Sequence, residues 1–593
     1  VHKVEVVLDK DAEIGFTDVS LSDERQKVNI EINKTDIDTG AVLSDTTFGI
    51  YATTDIVDRK GKVVAAKGTL LEKLVTGENG KATAAFDYPT GYVYEVKELK
   101  APIGYGNKND VKKVDASGIK GNEPSQDYSL KFTDKHTSIA STKAAEYKTG
   151  DNQGAYDENF VYRIIDSVDC RDLVVGEEYT IKGMLKDKAT GLPFVDMDGN
   201  TVTGETTFTA ETEDQIVNVE FNFKANLEGL SVVVAERLYQ QGVEIFVHDD
   251  LEDKDQTIDY LKLRTKAHDK DTLTNVGTVS DKASIVDEVT FNNLRVGNTY
   301  EVSGYLMNKD TGVELLDKDG NKITATKTFT AEAPNQTVEM EFTLDSSLLE
   351  GVTVTVFEDV YYNGVRVGSH CDITSADQSI FYPKIRTSAA DGDTNSHVGV
   401  VGGKSTIVDT VTYTNLIVGK TYTVSGYLMN QDTNTAILDK DGNKITSSRT
   451  FTAATANGSI DITFEFDSSD MEGSTAVVFE DLYHNDIRVT THSDITDSNQ
   501  SILYPKIRTK AHDKNTGDHN GTVGPETTII DTVIYSNLVA GREYTLKGYL
   551  VDRAAQMPVF DSTGNLITAS KNFIADGPDG TIDMEFTLDS TGL

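Results

Sequence analysis

The sequence predicts an all-β chain of antiparallel β-sandwich domains in tandem, and three observations predict it. A long unit repeats. The Thr of "RTKAHDKDT" at Arg264 returns in "RTSAADGDT" at Arg386, in "RTKAHDKNT" at Arg508 and, more loosely, in "STKAAEYKT" at Ser141, so that Thr142, Thr265, Thr387 and Thr509 follow one another at intervals of 123, 122 and 122 residues. Inside each unit, runs such as "NLRVGNTYEVSGYL" and "NLIVGKTYTVSGYL" are rich in Val, Thr and Tyr and punctuated by Gly, which reads as strand, turn and strand. No long stretch carries a helical period. Units of about 120 residues with strands at this spacing suit an Ig-like sandwich, and a string of them suits an elongated rod.

The chain is divided accordingly. Residues 1–27 read as a flanking segment or the end of a preceding domain, 28–136 as a domain of a different kind, 137–262, 263–384 and 385–506 as complete repeats, and 507–593 as a truncated fourth copy. Its 56 Lys and Arg against 96 Asp and Glu leave a net charge of −40, which argues against nucleic acid or an anionic membrane as partner. A hydrophobic content of 38% with 22 Phe and 25 Tyr is enough to build cores. There is no apolar run of 18 residues, no signal peptide in "VHKVEVVLDK" and no sorting or lipidation sequence after "LDSTGL", so both ends read as cuts inside a longer protein. Cys170 and Cys371 fall in different units, which rules against a disulfide framework and calls for another kind of staple in an exposed protein.

"DKDGNK" at 317–322 and 439–444 invites a calcium reading. It lacks the third acidic position and the closing Glu of an EF-hand loop, and "DSTGN" at 561 keeps the Gly while losing an acid, so hairpin turns are expected and no metal or cofactor.

Polar residues on the core side carry more information. In "SIVDEVTF", Ile285, Asp287, Val289 and Phe291 share one face of a strand, and the same parity puts Asp166, Asp409 and Asp531 among apolar neighbours. "VTVTVFED" puts Glu358 in phase with Val352, Val354 and Val356, and Glu236 and Glu480 sit alike. No Lys or Arg recurs beside them. A carboxyl buried without a cation has its pKa raised and can stay protonated as a hydrogen-bond donor; the alternative is a structural carboxyl satisfied by backbone amides. His248, His370 and His492 stand eight residues before Gln256, Gln378 and Gln500, whereas His268 and His512 become Ala145 and Ala390 in other copies and read as surface residues.

Thr, Asp, Glu, His and Gln therefore form a fixed set, although Thr and Gln are also ordinary edge-strand residues. A Thr hydroxyl becomes a nucleophile when a neutral His takes its proton, and a carboxamide becomes an electrophile when its oxygen receives a hydrogen bond from an acid. The natural reaction is acyl transfer within the domain, with loss of ammonia and formation of an ester that a dry interior would protect. Two other classes remain open: a hydrolase using Thr, His and Asp on an external substrate, and repeats that are themselves ligand-binding modules, for which the aromatics of "VYYNG" at 360 and "LYHND" at 482 would count.

"TKAHD", "IVDEVTFNNL", "GYLMNKDTG", "VFED" and "SHCDITSADQSI" resemble the VaFE-type, Thr–Gln intramolecular ester-bond domains of Gram-positive surface proteins, over about 450 residues. The resemblance implies cross-links Thr142 to Gln256, Thr265 to Gln378 and Thr387 to Gln500. It implies assistance from Asp166, Glu236 and His248, from Asp287, Glu358 and His370, and from Asp409, Glu480 and His492. The first repeat departs at "VVVAERLY", where Ala235 replaces Phe. The fourth keeps Thr509 and Asp531, but its Gln would fall near position 622, so this site is incomplete and the copy is expected to be disordered or unstable unless strands come from elsewhere. In 28–136, "VNIEINKTDIDTGAVLSDTTFGIY", "YVYEVKELKAPIGY" and "YSLKFTDK" resemble the prealbumin-like, CnaB/SpaA-type pilin domains. That resemblance implies an isopeptide bond with Lys34 as nucleophile, Asp134 as acceptor, where most such domains use Asn, and Glu98 as the proton-relaying acid.

Together these readings make the chain a monomeric stalk of a cell-wall-anchored bacterial adhesin or pilus-like protein. It would cross-link itself in single-turnover reactions without being an enzyme in the ordinary sense, carry its host-surface ligand site and its wall anchor outside this chain, and insert into no membrane.

Overall fold

Residues 25–106, 110–121 and 123–593 are described in the computed structural model, which comprises two units, Val1–Leu261 and Lys262–Leu593. Most of the 1–27 segment thus lies outside the described residues. Among the described residues the regular structure is strand, apart from two three-residue 3-10 turns at Ser469–Met471 and Ser498–Gln500.

Two sheets sandwich the core of the first domain. One contains Lys81–Thr83, Lys27–Asp36, Ser125–His136 and Tyr105–Gly106, and the other Val111–Ala116, Tyr92–Lys100, Thr47–Ala52 and Leu70–Val75. Ile30, Ile32, Phe48, Ile50, Tyr94, Val96 and Phe132 are buried between them. Lys27–Asp36 pairs with Ser125–His136 in parallel, an arrangement that alternation along either strand does not reveal.

Each complete repeat is a three-stranded sheet packed on a larger one. In the first, Ser138–Glu146, Val161–Arg171 and Gln215–Lys224 form the small sheet. Thr203–Thr209, Glu178–Asp187, Ser231–Gln240, Val243–His248 and Thr257–Asp259 form the other. Strict alternation of buried and accessible residues along Val161–Arg171, Ala283–Asn292 and Ser405–Thr414 follows from one face meeting the core. The Gly of each "GYL" or "GML" stretch has a packing reason: a Cβ on Gly183 or Gly304 would stand 2.4 or 2.6 Å from Phe221 or Phe342 of the facing sheet. The "DKDGNK" stretches are turns, as expected. Asp317 accepts from the backbone N–H of Asp319 and Asn321 at 2.9 and 2.8 Å, and Gly320 has φ +83°. Among the described residues no acidic or His cluster could hold a metal ion.

The fourth copy forms fewer strands than the complete repeats. Residues 506–588 form ordered strands: Lys506–Asp513, Thr527–Ser536 and Gly580–Leu588 make the small sheet, and Glu543–Tyr549 pairs with Thr568–Ile574. Local alternation is enough to build these pieces, and Val533, Met584, Phe586 and Leu588 bury one another. His268 and His512, expected at the surface, are half-buried.

Candidate functional site

The five-residue sets are drawn from both sheets of each repeat. Thr142 lies on the first strand of the small sheet, opposite Val168, and Asp166 lies on the next strand, two residues away on the same inward face. Glu236 comes from the larger sheet, where it stands directly across from His248 on one side and Gly183 on the other. Glu358 faces His370 and Gly304, and Glu480 faces His492 and Gly426, in identical register. Each Gln sits just before the short last strand, with its side chain in the core. Gln256, Gln378, Gln500 and the six acids Asp166, Glu236, Asp287, Glu358, Asp409 and Glu480 are all fully buried.

The carboxyls behave as the lack of a neighbouring cation requires. Burial, followed by the charge of Asp166, pushes Glu236 up to about 11. Burial and the paired Asp287 or Asp409 likewise hold Glu358 and Glu480 well above the carboxylate range. Asp166 and Asp287 are raised too, by burial against the Glu and Gln hydrogen bonds that oppose it, and Asp409 moves to about 6. Neither oxygen of Glu236 or Glu358 receives a donor from another group. A Glu without donors facing an Asp that accepts only from the Gln amide is accommodated when one of the two carboxyls keeps its proton and shares it with the other.

In the third repeat Gln500 Nε2 is 2.7 Å from Thr387 Oγ1 and 2.6 Å from Glu480 Oε2, and Thr387 Oγ1 is 3.3 Å from that same oxygen. In the second, Thr265 Oγ1 lies 3.1 Å from His370 Nδ1, whose ring is 3.7 Å from Glu358, and Gln378 Nε2 donates to Asp287 at 3.0 Å. In the first, Gln256 Nε2 donates to Asp166 at 2.9 Å. The carbonyl oxygens of Gln256, Gln378 and Gln500 receive no hydrogen bond. The second set brings the Thr hydroxyl to the imidazole and the third brings it to the carboxamide and the carboxyl, whereas in the first Thr142 Oγ1 meets no hydrogen-bond partner.

Two residues that the sequence reading missed join the sets. His248 Nε2 is 3.0 Å from Asp253, and His492 Nε2 is 3.1 Å from Asp497. A carboxylate on Nε2–H leaves Nδ1 as the basic nitrogen, the one that His370 turns toward Thr265. The signal was an Asp five residues after the His, but it is broken in the second repeat by Ser375. In the fourth copy Thr509 is exposed and Asp531 half-buried, with Asp531 raised by the burial it has. Neither meets a Glu, His or Gln of this set within the chain.

The departure at Ala235 has a visible consequence. Tyr305 and Phe357, and Tyr427 and Phe479, meet edge-on at 5.6 Å in the second and third repeats. Met184 and Ala235 take these places in the first, leaving a cleft of about 740 Å³ beside Lys182, Lys186, Arg237 and Asp249.

In the first domain Lys34, Glu98 and Asp134 meet in the core. Lys34 Nζ is 2.6 Å from Glu98 and 2.5 Å from Asp134, with all three side chains at or below 1% exposure. Lys34 and Asp134 come from the two parallel strands, Glu98 from the facing sheet, and the Phe48 ring lies 5.8 Å from the ammonium. Burial, then the hydrogen bond with Asp134, pushes Glu98 up to about 8 against the opposing pull of Lys34. A neutral Glu98 beside Asp134 is the acid that an amine attacking a carboxyl requires.

Comparison with known proteins identifies the domains. The family model described as "T-Q ester bond containing domain" matches residues 135–260, 261–382, 383–504 and 505–593, and that described as "Prealbumin-like fold domain" (SpaA) matches 28–126. No curated protein matches the chain. Among solved structures, a Mobiluncus mulieris adhesin containing intramolecular disulfide, isopeptide and ester bond cross-links is 15% identical, over 44% of this chain and 89% of its own, with a TM-score of 0.19. The full-length major pilin SpaD of Corynebacterium diphtheriae is 14% identical over 58% and 89%, with a TM-score of 0.20, and BcpA, the major pilin subunit of Bacillus cereus, 10% over 58% and 94%, with a TM-score of 0.17. The four family matches span well over half of the chain, with their Thr, Asp, Glu, His and Gln gathered in the core of three of them. The chain belongs to the family built from T-Q ester bond containing domains, here preceded by a prealbumin-like domain of the SpaA kind.

Proposed function

We propose that this chain is a self-stapled stalk of a bacterial surface adhesin or pilus-like protein, in which Thr142–Gln256, Thr265–Gln378 and Thr387–Gln500 condense to esters and Lys34–Asp134 to an isopeptide bond. The observation that carries this reading is the third repeat, where hydroxyl, carboxamide and carboxyl stand within hydrogen-bond distance inside a dry core. The imidazole of His492 takes the Thr387 proton as Oγ1 attacks the Gln500 carbonyl carbon, while protonated Glu480 or Asp409 donates to the carbonyl oxygen. The C–N bond breaks and ammonia leaves with the proton that the His returns. In the first domain the amine of Lys34 attacks Asp134, Glu98 relays the proton, and water leaves.

Each staple closes nearly a whole domain. Thr265 and Gln378 are 113 residues apart. Unravelled, that segment would lengthen the chain by roughly 370 Å at about 3.3 Å per residue, and a closed loop of this size stabilises by about 4–5 kcal/mol on the disulfide analogy. Gln378 and Thr387 stand only nine positions apart, so tension passes from staple to staple and largely bypasses the folded segments between. This suits a chain that holds a ligand-binding head, located outside it, away from a cell wall to which another region anchors it. Such a stalk works as a monomer, outside the cell.

The alternative hydrolase needs a site open to substrate. Thr142 and Thr387, at 5% and 8% exposure, offer an external substrate little approach, while Thr265 is half-buried. The ligand-module alternative draws support from the cleft beside Ala235 in the first repeat and from a smaller one, about 260 Å³, beside Tyr361 and Asn363 of the second. Ala235→Phe should fill the larger, and an unchanged binding profile for surface ligands after that change would dismiss it as a site.

The deciding experiment is the intact mass of the denatured chain. Three esters lower it by about 17 Da each and the isopeptide by about 18 Da, a total near 69 Da. A chain of unaltered mass would overturn the proposal.

A further inference from the structure

Ten residues after each stapling Thr stands a polar side chain that none of these roles uses: Asn152, Asn275 and His397. Asn152 Nδ2 donates to the carbonyl of Thr257 at 2.9 Å, of Ala144 at 3.0 Å and of Asp255 at 3.1 Å. Asn275 Nδ2 donates to the carbonyl of Ser379 at 2.9 Å and of Ala267 at 3.1 Å. His397 Nδ1 reaches the carbonyl of Ser501 at 3.1 Å. Thr257, Ser379 and Ser501 are the residues immediately after Gln256, Gln378 and Gln500, and Ala144 and Ala267 lie two after Thr142 and Thr265. In two repeats a single amide thus spans the two backbone segments whose side chains are to react. In the third an imidazole holds the same carbonyl next to the Gln.

The loops that carry these residues are anchored independently of the core. Asp269 accepts from the N–H of Thr272 and Thr278, and Asp391 from those of Thr394 and Val400. Beyond the loop, the amides of Asp259, Phe381 and Leu503 donate to the main-chain carbonyls of Asn152, Asn275 and His397 at 2.8–3.0 Å. Side chain and main chain of one residue therefore fix the short last strand against the loop.

We infer that Asn152, Asn275 and His397 are positioning residues for ester formation. They hold the Gln-bearing backbone in register with the Thr-bearing strand, so that the carboxamide carbon meets the hydroxyl before any bond exists. The inference rests on the ester reading. It differs from a packing role in one respect: once the ester has formed, the covalent link maintains the register and the clamp becomes redundant. Its loss should slow closure and leave the closed domain as stable as before. Misplacement by about an ångström costs up to about 100-fold in rate.

The test follows the full chain made by cell-free synthesis, quenched into acidic urea at intervals, with the three cross-linked peptide pairs quantified by mass spectrometry. In Asn275→Ala, closure of the second repeat should slow by about 10- to 100-fold while the first and third keep their wild-type half-times. Asn275→His should restore the rate to within about threefold, since His397 fills that place. The fully closed Asn275→Ala chain should melt with the wild-type profile. Closure of the second repeat at the wild-type rate, or a closed variant whose second repeat melts early, would overturn the positioning role while leaving the ester reading intact. Absence of every cross-linked pair in the wild-type chain would remove both.

Discussion

The centre in the first domain and those in the repeats both confine two carboxyls in a dry core, and they differ in whether a cation shares it. Lys34 lies against Glu98 and Asp134, and Glu98 rises to about 8. Glu236 has no cation and reaches about 11. The nucleophile accounts for the rest of the difference. On the reading proposed above, Lys34 gives its proton to Glu98, 2.6 Å away, when that carboxyl is ionised, and the Glu98 so protonated is then the acid, so Lys34 needs no further base. A hydroxyl holds its proton too tightly for that, and the repeats add a His. Desolvation is the shared resource; the base is what each nucleophile additionally demands.

The comparison is broken most severely by removing the acid. Glu98→Ala should leave Lys34 and Asp134 unjoined, and Glu480→Ala should leave Thr387 and Gln500 unjoined, each slowing closure by at least about 100-fold. Peptide mapping should then find no cross-linked pair at the altered centre and unchanged pairs elsewhere. If Glu98→Ala abolished its bond and Glu480→Ala did not, the two centres would not share an acid.

Removing the nucleophile sharpens the contrast in stability. Thr265→Ala deletes a staple worth about 4–5 kcal/mol and leaves no charge unpaired. Lys34→Ala deletes a staple over a similar span and also strands two buried carboxyls, so it should cost several kcal/mol more. Calorimetry should show the first domain of Lys34→Ala melting further below its wild-type transition than the second repeat of Thr265→Ala does below its own.

A smaller effect depends on pH. With Thr387 in place Asp409 keeps its proton up to about 6 when folded, against 3.8 for the ordinary group, and an unstapled Thr387→Ala chain loses the Thr387 hydrogen bond that holds it down. The stability it contributes is complete below about pH 3.8 and is lost as pH rises through about 6. Thr387→Ala/Asp409→Asn, which cannot ionise there, should gain on Thr387→Ala by on the order of 2 kcal/mol between pH 4 and 7. Denaturant titrations at both pH values check it; a gap that narrows with rising pH would contradict the assignment.

The smallest effect concerns the His. Ser375→Asp supplies the second repeat with the carboxylate that His248 and His492 already have, and its closure should quicken by about two- to fivefold. Timed peptide mapping would record this, and an unchanged half-time would show that His370 needs no such partner.

The sequence disclosed most of the site because the repeat served as its own alignment. Asp287 was legible from parity alone, since a charged residue on the apolar face of "SIVDEVTF" stands out, and its recurrence in four copies removed accident as an explanation. Glu358 followed from the same rule in a strand of the other sheet. Asp253 and Asp497 were not legible. They lie in a turn where acids are commonplace, and Ser375 interrupts the pattern. Asn275 was hidden for a related reason: Asn in a loop is unremarkable until its side chain is seen to reach two backbones. Nor could alternation tell that Lys27–Asp36 runs parallel to Ser125–His136, because side-chain period is the same in either direction.

The assembly of each set from two sheets has a consequence for how a finished chain can be read. Thr387 and Asp409 belong to one sheet, Glu480 and His492 to the other, and Gln500 to the turn that leads back between them. These groups meet only when both sheets have formed and closed on each other. If the proposed bonds form, a joined pair records a past event for as long as it escapes hydrolysis: the domain that bears it has been native at least once. Counting joined pairs in recovered material measures how faithfully it was folded in the cell that made it.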